Sequence, residues 1–423
     1  MKLSPIVKEM GTLAGANVLA QAIALAAYFV LTRIYSPADY GLFNIFFSYI
    51  EVLIILSTCK YELAVVAADT DREAAAVAAF ARRLNAAVSL LLLAVAAVLW
   101  QTGSLPGNLG ELGWIVLLIA PMVFCSGASR VYSFLFNRFH GYPTMALGET
   151  VNAAAAAALK IVLGLLGVLQ AGMPVGTVLG RAVANLCYRL RQRQLALPAT
   201  SWRERRASAH RHRNYPLYVA SKDFLNSFSS NLPFLWLAVY FQRAEVGLFG
   251  LALTFTFRPV NILNVAFEQV LFARTAEAVR QREPVWKMIR SFLLKINAVA
   301  LPLFVVAWLV AESLFGFCFG GRWSDCGVYV RALLPWVYVI LSSSSLVFVS
   351  NVFGTQRIEF CFYVVLLVLR VVAIAVGIRA GSFLLAIRLY AAAGTLVAAS
   401  LLVWYLLQVR AYERRIISSS AGR

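Results

Sequence analysis

The chain has 423 residues, of which 61% are hydrophobic and 13% charged, with a mean hydropathy of +0.76 and a formal net charge of +19. That balance excludes a water-soluble globular domain and is the composition of a membrane protein. The apolar runs are long and do not alternate, which excludes a β-barrel and leaves helices, whose backbone groups are satisfied within each segment.

Twelve spans are expected, at about 11–33, 38–59, 82–100, 112–135, 143–168, 172–190, 215–240, 244–273, 288–312, 327–352, 358–378 and 383–408. The start, "MKLSPIVKEM", lacks a cleavage site after the first apolar run, so that run reads as a retained span and not a signal peptide. Span one carries a polar stripe of Asn17, Gln21, Tyr28 and Thr32. The turn "YSPADYGLF" follows. In it Ser36 suits a helix cap, Pro37 the first helical position and Asp39 the positive end of the helix, while Gly41 permits close packing just inside span two. Span two places Glu51 near mid-membrane, and span five aligns Glu149, Asn152 and Lys160 on one stripe.

The basic linker "RLRQRQLALPATSWRERRASAHRHRNYP" reads as a solvated loop touching anionic headgroups, so its charge requires no nucleic-acid partner. His210 and His212 lie in it without Cys or carboxylate at ligand spacing, and no metal site is expected. Span seven is the most polar: Lys222, Asn226 and Ser229 or Ser230 share one face, with Asp223, Ser227 and Asn231 beside it. Span eight carries Arg258 near mid-membrane, followed by Pro259, which favours a bend. Glu51 and Arg258 suit either a permanent pair that neutralises two costly charges or a pair from which Arg258 is released to an anionic substrate. Arg370 lies deep in span eleven. Lys160 and Arg370 either snorkel toward the outer interface or serve a polyanionic headgroup. Arg181, Lys295 and Arg331 are weaker candidates, because their spans offer no second polar residue on a clear face. Cys318 and Cys326 share an outer loop, which leaves a disulfide between them open.

Near copies of the turn recur: "FQRAEVGLF" lies 206 positions after "YSPADYGLF". The same shift sets Tyr61 and Glu62 on Phe267 and Glu268, Asn17 on Asp223 and Gln21 on Ser227, and it places Glu51 one residue from Arg258. A shift of 210 sets Lys160 on Arg370 and Gly167 on Gly377. The expected fold is therefore all-α, two six-helix parallel repeats forming N- and C-lobes around a central cavity. The N-lobe would be residues 1–190, the cytoplasmic linker 191–214 and the C-lobe 215–423. Lys2, Lys8, Lys60, Arg72, Arg82, Arg83, Arg130, Arg138, the run Arg189 to Arg213, Arg274 to Arg290, Arg357 and Arg410 to Arg423 all fall on one side of such a topology. The positive-inside asymmetry makes that side, with both termini, cytoplasmic. No nucleotide-binding loop, no large outer loop with paired carboxylates and no Ser/His/Asp set is present, so no catalytic residue, cofactor or enzymatic activity is expected.

The stretch "LTRIYSPADYGLFNIFFSYIEVLIILSTCKYELAVV", with its basic residue before the turn, its Pro and acidic residue before Tyr-Gly and its aromatic-acidic pair closing span two, resembles the polysaccharide biosynthesis proteins. These are the Wzx-type O-antigen flippases of the multidrug/oligosaccharidyl-lipid/polysaccharide exporter superfamily. The resemblance implies an inner-membrane protein that moves undecaprenyl-pyrophosphate-linked repeat units to the outer leaflet by alternating access, for O-antigen, capsule or exopolysaccharide. It also implies a cationic cavity, which Lys222, Arg258, Lys160 and Arg370 would supply, lined further by Asn17, Gln21 and Asn226. An H+ or Na+ gradient would drive it, with Asp223, Glu51 or Glu149 titrating, and a polymerase and chain-length protein would be partners. The rivals are an ion-coupled drug or cation exporter, which needs cavity acids that span one lacks, and a membrane polymerase or ligase, which needs catalytic groups in a large outer loop.

Overall fold

The structure, a computed structural model, describes residues 5–195 and 197–421, with the side chains of 5–14, 266, 269, 273, 276, 351, 356, 415 and 417–421 left aside. Lys2 and Arg423 lie outside the described residues, as does the side chain of Lys8. Among the described residues there is no strand. In chain order the helices are α1 (Pro5–Ile34), α2 (Pro37–Thr58), α3 (Tyr61–Ala67), α4 (Asp71–Gln101), α5 (Leu109–Leu112), α6 (Ile119–Arg138), α7 (Tyr142–Leu165), α8 (Leu169–Gln192) and α9 (Trp202–Arg211). They continue as α10 (Ser221–Leu232), α11 (Ala238–Tyr240), α12 (Arg243–Arg280), α13 (Trp286–Phe319), α14 (Cys326–Ser343), α15 (Phe348–Phe353), α16 (Gln356–Arg379) and α17 (Phe383–Ala421).

Ten of these helices or helical runs are long and apolar enough to cross a membrane. The other two expected spans are helical but more polar. One is α8, which carries Arg181, Asn185, Arg189 and Arg191. The other is the run over 215–240, where π-helical turns at Tyr215–Ala220 and Pro233–Leu237 flank the polar α10. A π turn shifts the backbone register and leaves carbonyls without their usual partners. Asn108, only 2% exposed, meets that need: its Nδ2 donates to the carbonyls of Phe234 and Leu235, both at 3.1 Å, while its Oδ1 accepts from Tyr49 Oη at 2.6 Å.

The chain divides into two compact units, Met1–Gly247 and Leu248–Arg423. In the first, the expected cap of α2 is present as a full capping box. Ser36 N–H donates to Asp39 Oδ2 at 2.9 Å, and Asp39 N–H donates to Ser36 Oγ at 3.2 Å, with Pro37 as the first helical residue. The preceding Tyr35 is fully buried, its hydroxyl donating to the Lys160 carbonyl at 2.7 Å. Burial, reinforced by the Asp39 charge, pushes that phenol up to about 12.

Lipid tails are as apolar as the helices themselves, so helices meet through close packing more than through hydrophobic force, and small residues mark the seams. Gly172, Gly176 and Gly180 form such a seam on α8. A Cβ at these positions would stand 2.3 Å from Tyr35 Oη, 2.8 Å from Lys160 Cγ and 2.6 Å from Ala156 Cβ. The two copies of the Gly-Leu-Phe motif meet each other in the same way. A Cβ on Gly41 would lie 1.9 Å from the Arg243 carbonyl oxygen, and one on Gly247 would lie 1.8 Å from that of Pro37.

The second unit is tied by similar means. Gly377 of α16 abuts Ala386 of α17, Gly394 of α17 abuts Trp336 of α14, and Arg331 of α14 reaches the carbonyls of Trp308 and Leu309 on α13 together with Glu312. Cys326 is a buried thiol that donates to the Leu248 carbonyl.

The repeat departs from strict equivalence in two places. Between α2 and α3, Cys59 and Lys60 are both left-handed, with φ of 47° and 60°, whereas α12 runs unbroken past the matching Phe267 and Glu268. Helices α7 and α16 each have 24 residues, and each is followed by a left-handed glycine, Gly167 and Gly381. Lys160 therefore lies one turn, about 6 Å, further along α7 than Arg370 lies along α16. Gly377 packs inside α16, so Gly381 and not Gly377 is the counterpart of Gly167.

Replacing Gly41 by Leu is expected to destabilise the purified protein by about 2 kcal/mol or more, since the opposing group is backbone and cannot yield. Gly15→Ala, with open space around it, is the control. Thermal unfolding in detergent that leaves both variants at the wild-type midpoint would contradict the close crossing.

Candidate functional site

Helix α10 presents the two faces expected of it. Lys222, Asn226 and Ser230 are exposed on the surface of the first unit, while Ser229 and Asn231 are buried. On the face toward α2, Asp223 pairs with Lys60 at 2.7 Å and Ser227 Oγ donates to the Glu51 carbonyl at 2.9 Å. Asn231 Nδ2 donates back to the Ser227 carbonyl at 2.9 Å. Lys60 owes its position to the left-handed joint after α2, which turns its side chain toward α10. On α1, Asn17 is exposed and Gln21 half-buried; the Glu51 side chain of α2 is exposed.

The α7 stripe meets a partner that single-helix periodicity did not rank highly. Glu149 receives Arg181 Nη1 of α8 at 3.3 and 3.4 Å, and Tyr188 Oη at 3.4 Å. Tyr188 also donates to the Met145 carbonyl at 3.3 Å, and Gly148 leaves the room its ring occupies. The polar path continues to α6 through Asn185, which accepts from Ser129 Oγ at 2.8 Å and donates to the Cys125 carbonyl at 2.7 Å. Arg181, whose own span has no second polar residue on a clear face, finds its companions on α7. The available sequence signal was the four-residue spacing of Arg181 and Asn185 together with Tyr188, opposite Glu149.

Lys160 and Arg370 rest on aromatic rings. Lys160 Nζ lies 4.7 Å from the Phe43 ring centre. Arg370, 3% exposed, lies 4.5 Å from Tyr390 and 5.1 Å from Trp336. Arg258 is half-buried in α12, which continues as helix through Pro259, and Glu51 and Arg258 belong to different compact units.

Two acidic features stand apart from these stripes. Glu62 is 1% exposed, and its Oε2 has no hydrogen-bond partner. In the second unit the repeat-matched Glu268 faces Glu359, whose carboxylate also takes the Ser350 hydroxyl and lies beside Tyr363 and the fully buried Tyr405.

The linker is not a loop throughout. Residues Trp202–Arg211 form α9, capped by a Ser201 and Glu204 box, and Ser201's N–H and hydroxyl hold the Glu204 carboxyl below the usual range. This helix docks on α4. Glu73, itself buried, takes Arg211 at 2.8 Å and His212 at 3.3 Å, and Arg72 pairs with Glu204 at 2.6 Å. Trp202 stacks on Phe80 beneath Arg83. The polar sequence hid this, because the docking is largely ionic and aromatic, with Ala209 the aliphatic side chain buried against Val77 and Ala78 of α4. Arg203, Arg206 and His210 are exposed. Among the described residues no group of three or more His, Cys, Asp or Glu side chains is placed to hold a metal ion.

A family profile described as "Polysaccharide biosynthesis protein" matches residues 30–328. No curated protein matches the sequence. Solved structures match the fold over nearly the whole chain. An inward-facing multidrug resistance MATE family transporter of the MOP superfamily superposes with a TM-score of 0.69 at 15% identity, covering 93% of this chain and 96% of that one. The lipid II flippase MurJ, in an inward closed conformation, gives 0.73 at 10% identity over 96% and 90%. A MOP superfamily transporter from Pyrococcus furiosus gives 0.60 at 16% identity over 96% of each chain. With ten apolar helices among the described residues, this fold is that of a multi-pass membrane protein.

Docking of α9 depends on Glu73. Glu73→Ala is expected to speed tryptic cleavage between Arg203 and Arg213 at least about threefold, the effect of ~0.7 kcal/mol on a local opening equilibrium. Limited proteolysis of the purified protein reads this directly, and an unchanged cleavage rate would count against the docked helix.

Proposed function

Because the chain belongs to the polysaccharide biosynthesis protein family, we propose that it is a flippase for lipid-linked glycan. Its substrate is a polyprenyl-pyrophosphate-linked oligosaccharide repeat unit, carried from the cytoplasmic to the outer leaflet of the bacterial inner membrane by alternating access, with both termini cytoplasmic. The glycan serves a surface polysaccharide such as O-antigen, capsule or exopolysaccharide, and the protein acts as a transporter and not as a catalyst.

The observation that carries this reading is the surplus of cations over acids along its membrane segments: Lys160, Lys222, Arg258 and Arg370. A pyrophosphate cannot cross hydrocarbon alone. Arg and Lys at depth offset its desolvation by charge-assisted hydrogen bonds, while the prenyl tail stays in lipid. The aromatic seats of Lys160 and Arg370 keep two of these charges at depth until an anion competes for them. The likeness to MurJ, a lipid II flippase, supports a lipid-borne cargo, and the polysaccharide family supports a glycan. Asn17, Gln21 and Asn226 would meet the sugar hydroxyls. The lobes run 1–190 and 215–423 about the linker, and an H+ or Na+ gradient drives the cycle through Glu149, Glu51 or Asp223.

Removing the protein should trap lipid-linked repeat units on the cytoplasmic leaflet, read by leaflet-specific labelling. The double variant Lys222→Ala with Arg258→Ala is expected to lower the translocation rate by about tenfold or more, since each lost charge-assisted bond is worth ~1.5–3 kcal/mol. Wild-type translocation by that variant would sink the cationic mechanism.

A further inference from the structure

Arg181 on α8 is held by only one of its nitrogens. Nη1 reaches Glu149 at 3.3 and 3.4 Å, longer than the 2.7–2.9 Å of a strong charge-assisted bond, and the fork-to-fork geometry open to Arg and carboxylate is not used. Arg181 Nε is buried without a hydrogen-bond partner. An N–H donor left unmet at that depth is costly, and an ion pair built only to neutralise two charges would close on it. The arrangement is instead that of a guanidinium holding donors in reserve, with side chains 22% and 35% exposed for Arg181 and Glu149.

We propose that Glu149 and Arg181 form a proton-governed anion switch, in which protonation of Glu149 releases Arg181 to bind the phosphate oxygens of a pyrophosphate headgroup. The proposal rests on the flippase reading and adds to it a binding residue and its regulation. One proton adds to a Glu149 carboxylate oxygen, and the guanidinium, losing its partner, offers Nε–H and an Nη–H to two oxygens of the anion. Loss of that proton restores the carboxylate, which competes for Arg181 and expels the anion.

The surroundings suit such a switch. From α8, Arg181 and Tyr188 face Glu149. Next to α8, α6 brings Cys125 beside Arg181, Tyr132 stacked on Tyr188, and the uncharged Ser129 and Ser133, while its Arg138 is engaged by Asp71. Helix α6 also carries Arg130, half-buried. The described side chains of α1, packed on α7, include only Tyr28 and Arg33 as ionisable groups, and Lys160 lies three turns along α7. Among the described residues Glu149 is the one carboxylate that pairs with Arg181.

The test is equilibrium binding of farnesyl pyrophosphate and of inorganic pyrophosphate to the purified full-length protein in detergent across a pH series, with translocation assayed in parallel. Wild type is expected to bind the prenyl pyrophosphate more tightly as pH falls. Glu149→Gln should bind it at every pH as tightly as wild type does at low pH, and Arg181→Gln should weaken it about tenfold or more, since charge-assisted bonds to the anion are lost. Tyr188→Phe removes a hydrogen bond to the Glu149 carboxylate, so it should move the pH midpoint upward without changing the tightest binding. This variant decides the matter if Glu149→Gln fails to fold. Persistence of the wild-type pH dependence in Glu149→Gln, or an unmoved midpoint in Tyr188→Phe, overturns the switch even where translocation is intact. A pH dependence removed by Glu149→Gln in a protein that translocates nothing leaves the switch standing and refutes the flippase. Equal binding of inorganic pyrophosphate overturns the lipid-borne source of the anion.

Discussion

Hydrocarbon offers no hydrogen bond, and the architecture of this chain follows from that constraint. Each backbone group that leaves a helical ladder has to find a protein partner at the same depth. Asn108 exists in this structure to serve two carbonyls released by a π turn, and Arg138 takes the carbonyls of Val65, Val66 and Ala68 where α3 ends. With the backbone satisfied internally, little apolar force is left to bring helices together, and approach has to come from missing side chains. The α8 glycines and the Gly41 and Gly247 crossing supply it.

The all-helical membrane fold was legible because it needs only length and apolarity. The capping box of α2 was legible because caps are local, fixed by Ser36, Pro37 and Asp39 within one turn. The two faces of α10 were legible because helical periodicity needs no neighbour. What escaped was whatever depends on a second helix. Arg181 looked isolated on α8 because its carboxylate lies on α7. The linker looked solvated because Glu73, which holds it, is more than a hundred positions away. The shift of 210 that sets Lys160 on Arg370 differs by one turn from their places along α7 and α16, because a sequence shift aligns letters and not helix starts.

The charges in this chain sort by how firmly they are held. At the ends of the helices, Arg138, Glu73 and Lys60 are committed to several partners or to short contacts and act as fasteners. Deeper, Lys160 and Arg370 rest on aromatic faces, and Arg181 on a single long contact. A π face or a long ion pair holds a charge less firmly than a short salt bridge does.

The crossing of Gly41 with Gly247 has an evolutionary consequence. Two positions that match under the 206-residue shift sit against each other's flanking backbone, so neither can enlarge unless the opposite backbone retreats. Duplication ordinarily frees one copy of a motif to drift; here the contact removes that freedom. The pair behaves under mutation as a single site written twice in the gene, and the similarity of "YGLF" and "VGLF" answers a present steric demand.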